Sequence, residues 1–188
     1  THREMSSGLS CPVGFKNGTD GGMTVAVNAM QAVKFGHSFL GLAADGKVAI
    51  IKSKGNPYAH VVLRGGNGQP NYDASAVAKA EQELAKGKVT GKIMIDSSHA
   101  NSNKDPYLQP MVIQNIAEQI KNGNRSIIGM MVESHLKGGR QDLTSDLSKL
   151  EYGKSITDGC LDWESTVAAL HNLRNEIKDI LPTRPLND

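Results

Sequence analysis

The sequence predicts an α/β fold of four parallel βα units, and three observations carry that reading. Runs such as Ile93-Met94-Ile95 and Ile127 to Val132 are apolar without alternation, as expected of strands buried on both faces of a helix-covered parallel sheet. Each strand is followed, after a turn, by a segment of helical periodicity. The strands end on Lys16, Arg64, His99 and Glu133, so one rim collects polar groups while the strand interiors stay apolar. That is the anatomy of the catalytic face of a (β/α) barrel.

In chain order, Cys11 to Phe15 reads as the first strand, with Cys11 buried and inert at its entry end. A glycine-rich turn through Gly22 follows, and Met23, Ala26, Val27, Met30 and Val33 then share one face of a helix over Met23 to Lys34. Ser38 to Ala43 and Val48 to Ile51 are joined at Asp45-Gly46, a strong hairpin signal. Residues 38–64 are expected to be one barrel strand with a hairpin excursion, ending on His60-Val61-Val62-Leu63. A helix over Ala74 to Leu84 turns Val77, Ala80 and Leu84 inward. After Ile95 the chain changes to Asp96-Ser97-Ser98-His99-Ala100-Asn101, a polar density that is costly at the end of a buried strand unless something binds there. Asp105 and Pro106 suit the start of a helix that runs to Lys121 and ends at Gly123. Ile127 to Val132 is the next doubly buried strand, stopping on Glu133-Ser134-His135. A long polar loop carries Tyr152 to Asp158, and a last helix over Trp163 to Ile180 faces Val167, Leu170, Leu173 and Ile177 inward. The chain opens at Thr1-His2-Arg3-Glu4, within what reads as a helix-to-strand connection.

Hydrophobic content of 38% and charged content of 21% are ordinary for one globular domain of 188 residues. The 21 basic and 19 acidic residues are mixed along the chain, with no basic run interleaved with aromatics, so nucleic acid is not favoured as a partner. No apolar stretch approaches the ~20 residues of a membrane span, and no signal peptide is recognisable. Cys11 and Cys160 match no zinc spacing and fit a reducing cytoplasm.

His99, Glu133 and Asp158 offer one neutral nitrogen and two hard carboxylates on three segments, a set that suits a divalent transition metal with open positions. Taken singly, His99 also reads as a solvated loop histidine and Asp158 as a cap of the last helix, whereas Glu133, directly after an apolar run, needs a partner. Lys16 and Arg64 are each followed by glycines whose N–H groups would be accessible, a pairing that suits a small dianion such as a phosphate ester. Alternatively, Arg64 pairs with a carboxylate and Lys16 points to solvent, or Lys16 serves as a Schiff-base lysine. Cys160 is expected beneath the last helix, and His135 either beside Glu133 or in solvent.

The stretches His2-Arg3-Glu4, Ser7-Gly8-Leu9-Ser10, Cys11-Pro12-Val13-Gly14-Phe15-Lys16-Asn17-Gly18-Thr19-Asp20-Gly21, Leu63-Arg64-Gly65-Gly66, Asp96-Ser97-Ser98-His99-Ala100-Asn101-Ser102, Val132-Glu133-Ser134 and Tyr152-Gly153-Lys154-Ser155-Ile156-Thr157-Asp158 follow one another in a familiar order, with Trp163-Glu164 after them. In this the chain resembles the carboxyl-terminal part of the 3-deoxy-D-arabino-heptulosonate 7-phosphate (DAHP) synthases of the enteric-bacterial and yeast branch. The resemblance implies condensation of phosphoenolpyruvate with erythrose 4-phosphate. It implies that His99, Glu133 and Asp158 ligate a divalent metal ion (Mn, Fe, Co or Zn), that Lys16 and Arg64 hold phosphoenolpyruvate, and that Lys16 and His99 are catalytic. A cytoplasmic homo-oligomer is expected, with an aromatic amino-acid effector whose pocket draws on Gly8-Leu9-Ser10 and the neighbourhood of Phe39.

A whole (β/α)₈ barrel takes ~250 residues. In the family a cysteine metal ligand, an arginine-lysine pair and a further phosphoenolpyruvate-binding arginine precede the point where this sequence begins, and none has a counterpart here. Residues 1–188 are therefore expected to be the C-terminal half of a TIM (β/α)₈ barrel with open inner edges, the N-terminal half being absent from this sequence. The alternative function is that of an incomplete half-barrel that binds phosphate or metal, or self-associates, without turnover. Gly138-Gly139-Arg140-Gln141 departs from the family's Glu-Gly-Asn-Gln type of sequence.

Overall fold

Parallel strand pairing between segments far apart in sequence organises the chain in the computed structural model, which describes residues 2–185. The order is α1 (His2–Ser7), β1 (Val13–Lys16), α2 (Thr24–Val33), β2 (Ser38–Leu42), β3 (Val48–Lys52), β4 (Ala59–Leu63), α3 (Ala74–Lys86), β5 (Ile93–Asp96), α4 (Gln109–Lys121), β6 (Ile127–Met131), β7 (Lys137–Arg140), β8 (Lys154–Ser155) and α5 (Trp163–Ile177). The principal sheet has the order β1-β4-β5-β6, every pair parallel, and α2, α3, α4 and α5 follow its four strands. The four predicted βα units are all present.

Alternation along the strands divides the sheet into two faces. Ala59, Val61, Leu63, Ile93, Ile95 and Ile127 pack in one core with Val33, Val77, Leu84, Val112, Ile116 and Ile177 of the helices. The other face carries Gly14 and Lys16 of β1, His60 and Val62 of β4, and Met94 and Asp96 of β5, in parallel register. Asp73 begins α3 by accepting from the Ala76 N–H, and Asp162 begins α5 by accepting from the Ser165 N–H. Each cap satisfies a donor the helix leaves unpaired.

Several expectations change. Cys11 precedes β1 and is exposed, not buried, because pairing with β4 starts only at Val13. The hairpin β2–β3 is a separate antiparallel sheet, so β4 alone is the principal strand of residues 38–64. Leu40, Leu42, Val48 and Ile50 are exposed on one face of it. Strand β6 is not buried on both faces; it lies at the sheet edge and exposes Ile128. Residues 106–108 form a 3₁₀ turn, capped by Asp105, before α4 begins at Gln109. Along α5 Ile177 is buried and Leu173 packs against the core as predicted, but Leu170 is exposed and Ala169 is buried in its stead. The polar loop after β6 contains the short parallel pair β7–β8. Residues 2–7 of the opening connection are helical, and Thr1 lies outside the described residues. No helix among the described residues is long and apolar enough to cross a membrane.

Candidate metal centre and anion rim

The site begins with two strand ends and one loop. His99 opens a 3₁₀ turn three residues beyond the end of β5 with a left-handed backbone, φ 55°, a conformation that costs a non-glycine residue energy and is concentrated at functional sites. Its carbonyl accepts from the Lys104 N–H, and the next N–H, that of Ala100, bonds the Arg64 carbonyl, which ties the turn to the end of β4. Glu133 lies two residues beyond β6, where buried Gln109 clamps its backbone: the Gln109 amide donates to the Glu133 carbonyl and accepts from the Glu133 N–H, both at 2.9 Å. The Leu161 N–H also donates to the Glu133 carbonyl, drawing the segment after β8 alongside.

These connections bring His99, Glu133 and Asp158 together, with one candidate ligand atom from each within 4.8 Å of the others. His99 Nε2 stands 3.7 Å from Glu133 Oε1. The three residues line a small cavity of about 30 Å³ with Ser98, Ser102, Lys104 and Gly159. Burial pushes the Glu133 carboxyl above its ordinary range; His99 opposes that shift and the negative charges of Asp158 and Asp96 add to it. Carboxylates gathered around an imidazole in a space of this size are the donor chemistry of a hard or borderline divalent cation, so the residues fit the metal that the sequence implied.

The two predicted cations part company. Lys16 Nζ donates to Asp96 Oδ2 at 2.9 Å, whereas the Arg64 guanidinium makes no ion pair or hydrogen bond among the described residues. This reverses the alternative in which Arg64 is paired and Lys16 free. Arg64 lines a separate, larger cavity of about 440 Å³ with Thr19, Gly66, Asn67, Asn103 and Lys104, and Lys104 borders both cavities. The glycines beside the cations do not present free N–H groups. The Gly65 N–H bonds Asn71 Oδ1, and those of Gly66, Gly18 and Gly21 bond backbone carbonyls. Their role is close approach: a Cβ on Gly66 would fall 2.1 Å from the Gly21 nitrogen.

The sequence model of the DAHP synthetase I family matches residues 1–171. The chain belongs to that family. Among its relatives within the DAHP synthetase I family is the Tyr-sensitive phospho-2-dehydro-3-deoxyheptonate aldolase of Escherichia coli (strain K12), 47% identical over 184 residues, which are 98% of this chain and 51% of that protein. The Phe-sensitive aldolase of the same organism is 49% identical over 177 residues, covering 94% of this chain and 50% of the relative. The solved structure of phospho-2-dehydro-3-deoxyheptonate aldolase from Francisella tularensis SCHU S4 superposes with a TM-score of 0.87 at 43% identity, over 94% of this chain and 51% of that one. The chain thus spans about half the length of these relatives.

In this DAHP synthetase I chain the residue that sequence reading missed is Asp96. Its side chain is fully buried, and besides Lys16 it faces His99 Nδ1 at 2.9 Å and accepts from the Ser98 N–H and hydroxyl. The only available signal was a carboxylate closing an apolar run, Ile93 to Ile95, whose last positions no water reaches. Also missed were Asn17, Asn71 and Asn101, which hydrogen-bond across the ends of β1, β4 and β5. Asp158 caps nothing in α5, a role taken by Asp162. Cys160 is buried, as expected, and burial pushes its thiol up, away from reactivity. His135 is exposed, with Nδ1 accepting from the Leu136 N–H.

Proposed function

We propose that the chain supplies the catalytic rim of a metal-dependent DAHP synthase, which condenses phosphoenolpyruvate with erythrose 4-phosphate to DAHP and phosphate. The observation that carries the proposal is the convergence of His99, Glu133 and Asp158 beside the Asp96–Lys16 pair. In this reading the three residues hold one divalent ion (Mn, Fe, Co or Zn), which when bound supplies Lewis acidity toward the aldehyde of erythrose 4-phosphate. Lys16 and Arg64 bind anionic phosphoenolpyruvate and offset its charge. Arg64, whose guanidinium has no partner among the described residues, is the cation open to a phosphate, and Lys16 is held in place by Asp96 until substrate competes for it. Catalysis by way of a Lys16 Schiff base is disfavoured by that ion pair, which occupies the amine with the Asp96 carboxylate.

The same proposal takes the four βα units as the C-terminal half of a (β/α)₈ barrel. Supporting it, strands β1 and β6 end the principal sheet without further partners among the described residues, and one sheet face lines up Lys16 and Asp96 as a barrel interior would. We take the protein to be a cytoplasmic homo-oligomer, with the exposed apolar face of β2–β3 as the feature favouring self-association. An aromatic amino-acid effector is in keeping with the Tyr- and Phe-sensitive names of the relatives. The hydroxyl of Ser7 lies 2.6 Å from that of Ser53, so the segment leading to Gly8-Leu9-Ser10 is fastened to the end of the hairpin that carries Phe39.

The test is chelation. Turnover in the intact protein should vanish on treatment with a chelator and return with added divalent metal. Activity untouched by chelation, together with borohydride trapping of substrate on Lys16, would replace this mechanism with a Schiff-base aldolase.

A further inference from the structure

The arrangement around Asp96 goes beyond holding two residues in place. Its Oδ2 is shared: Lys16 Nζ and His99 Nδ1 both stand 2.9 Å from that one oxygen. Its other oxygen, Oδ1, accepts from the Ser98 N–H at 3.0 Å and the Ser98 hydroxyl at 2.5 Å. With the Ser98 hydroxyl hydrogen directed at Oδ1, the Ser98 oxygen faces His99 Nδ1 at 2.8 Å as an acceptor. Both groups facing Nδ1 are therefore acceptors, and Nδ1 carries the proton. That leaves Nε2, on the side of Glu133, with a lone pair aimed into the small cavity. A carboxylate that orients a ligating imidazole through its distal nitrogen raises ligand basicity and fixes the tautomer.

We propose that Asp96 is a positioning residue that couples metal occupancy to anion binding through this shared oxygen. The inference rests on the reading of His99 as a metal ligand and Lys16 as a phosphoenolpyruvate lysine. Withdrawal of electron density at His99 Nε2 strengthens the attraction between the Nδ1–H and Oδ2, 2.9 Å apart, and loosens the hold of that oxygen on Lys16, which becomes available to the substrate phosphate. In the other direction, phosphoenolpyruvate that draws Lys16 away leaves the Asp96 charge to His99 alone and makes Nε2 a better ligand. Linkage requires the two effects to be equal, so each ligand tightens the other by the same factor. A fully buried carboxylate, with three hydrogen-bond donors on its two oxygens and His99 Nδ1 2.9 Å from one of them, is rigid enough to transmit this exchange.

The experiment measures Mn²⁺ and phosphoenolpyruvate affinities by calorimetry, separately and together, in the intact protein and its Asp96→Asn variant, with circular dichroism to check folding. In the parent protein each ligand should tighten the other about 5-fold or more, the lower end of ordinary coupling. Asp96→Asn should weaken Mn²⁺ binding about 10- to 100-fold, as loss of an orienting partner does, and reduce the coupling factor to near one. A folded Asp96→Asn protein that keeps the parent's coupling factor would overturn the inference while leaving the metal site and the proposed function standing. A parent protein that binds neither Mn²⁺ nor phosphoenolpyruvate would overturn the functional reading itself. Nitrogen NMR of His99 in the metal-free parent is independent of any variant's folding. It should find Nδ1 protonated and Nε2 bare, and the opposite tautomer would rule out the proposed route.

Discussion

At the scale of single residues, His99 is the side chain on which the metal reading turns, and its removal separates function from fold. His99→Ala in the intact enzyme should abolish metal-dependent turnover and bound metal while leaving the circular dichroism spectrum unchanged. A metal assay and a product assay on the same sample check both halves. Glu133 makes a prediction in pH. Because burial lifts its carboxyl above the ordinary 4.5, it takes up a proton at a higher pH than a free glutamate. Mn²⁺ affinity should therefore start to fall before pH 4.5 is reached from above, with protons released on binding, which calorimetry in buffers of different ionisation enthalpy reads directly. The sign for the metal-free protein is the reverse of a stabilising carboxylate. The folded state holds this proton more tightly than the unfolded one, so Glu133 subtracts stability as pH rises from 4.5 through its raised value. Asp96 behaves oppositely: burial raises its pKa, but the Ser98 and Lys16 donors outweigh that and lower it overall. Its contribution is present above the unfolded value of 3.8 and is lost as pH falls through the lower folded one.

At the scale of elements, the loops after β1 and β4 meet backbone to backbone, with Gly66 against Gly21. Gly66→Ala should cost about 1–3 kcal/mol by overpacking, because the obstructing atoms are main chain and cannot rotate aside. Urea denaturation measures this, and the weakened anion affinity expected from a displaced Arg64 accompanies it. Strand β4 offers the complementary case. Leu63 is buried in the helix-side core, so Leu63→Ala should cost about 2–5 kcal/mol and leave the rim chemistry intact. Elements of this kind were legible from sequence because their determinants are local. Ile93 and Ile95 are buried on the helix side of β5 while Met94 on its other face is partly buried, and Val77, Ala80 and Leu84 of α3 pack as their spacing indicated. What was not legible followed from position in the sheet. Strand β6 looks as apolar as β5 in sequence, yet as an edge strand it exposes Ile128. Along α5, Leu173 and Ile177 pack as their spacing indicated, but the burial of Ala169 rather than Leu170 depends on packing against its neighbours and not on periodicity alone.

For the whole molecule, His60 sets a pH dependence of stability. It is buried on the sheet face that carries Lys16 and Asp96, and burial pulls its pKa below 6.5. The unfolded chain takes up the proton first, so stability should decline as pH falls from 6.5 toward the lower folded value. Denaturation midpoints at pH 7.5 and pH 5.5 should differ, and differ less in His60→Gln. The isolated 188-residue chain should show no synthase turnover, because strands β1 and β6 end the principal sheet without further partners among the described residues and so leave the proposed barrel open; a product assay on chain of this length decides the point.

By itself the sequence determined the α/β class, the four βα units and the residue types at the strand ends, since these depend on local apolar patterning and on side-chain chemistry. It also carried the family, through motifs spread from His2 to Glu164. Tertiary structure alone decided which of those side chains meet. His99, Glu133 and Asp158 converge because Gln109 and Leu161 hold the Glu133 backbone, and Lys16 joins His99 through Asp96, 80 residues away in the chain. A contact across that separation comes from parallel register between strands, which no spacing along the chain encodes.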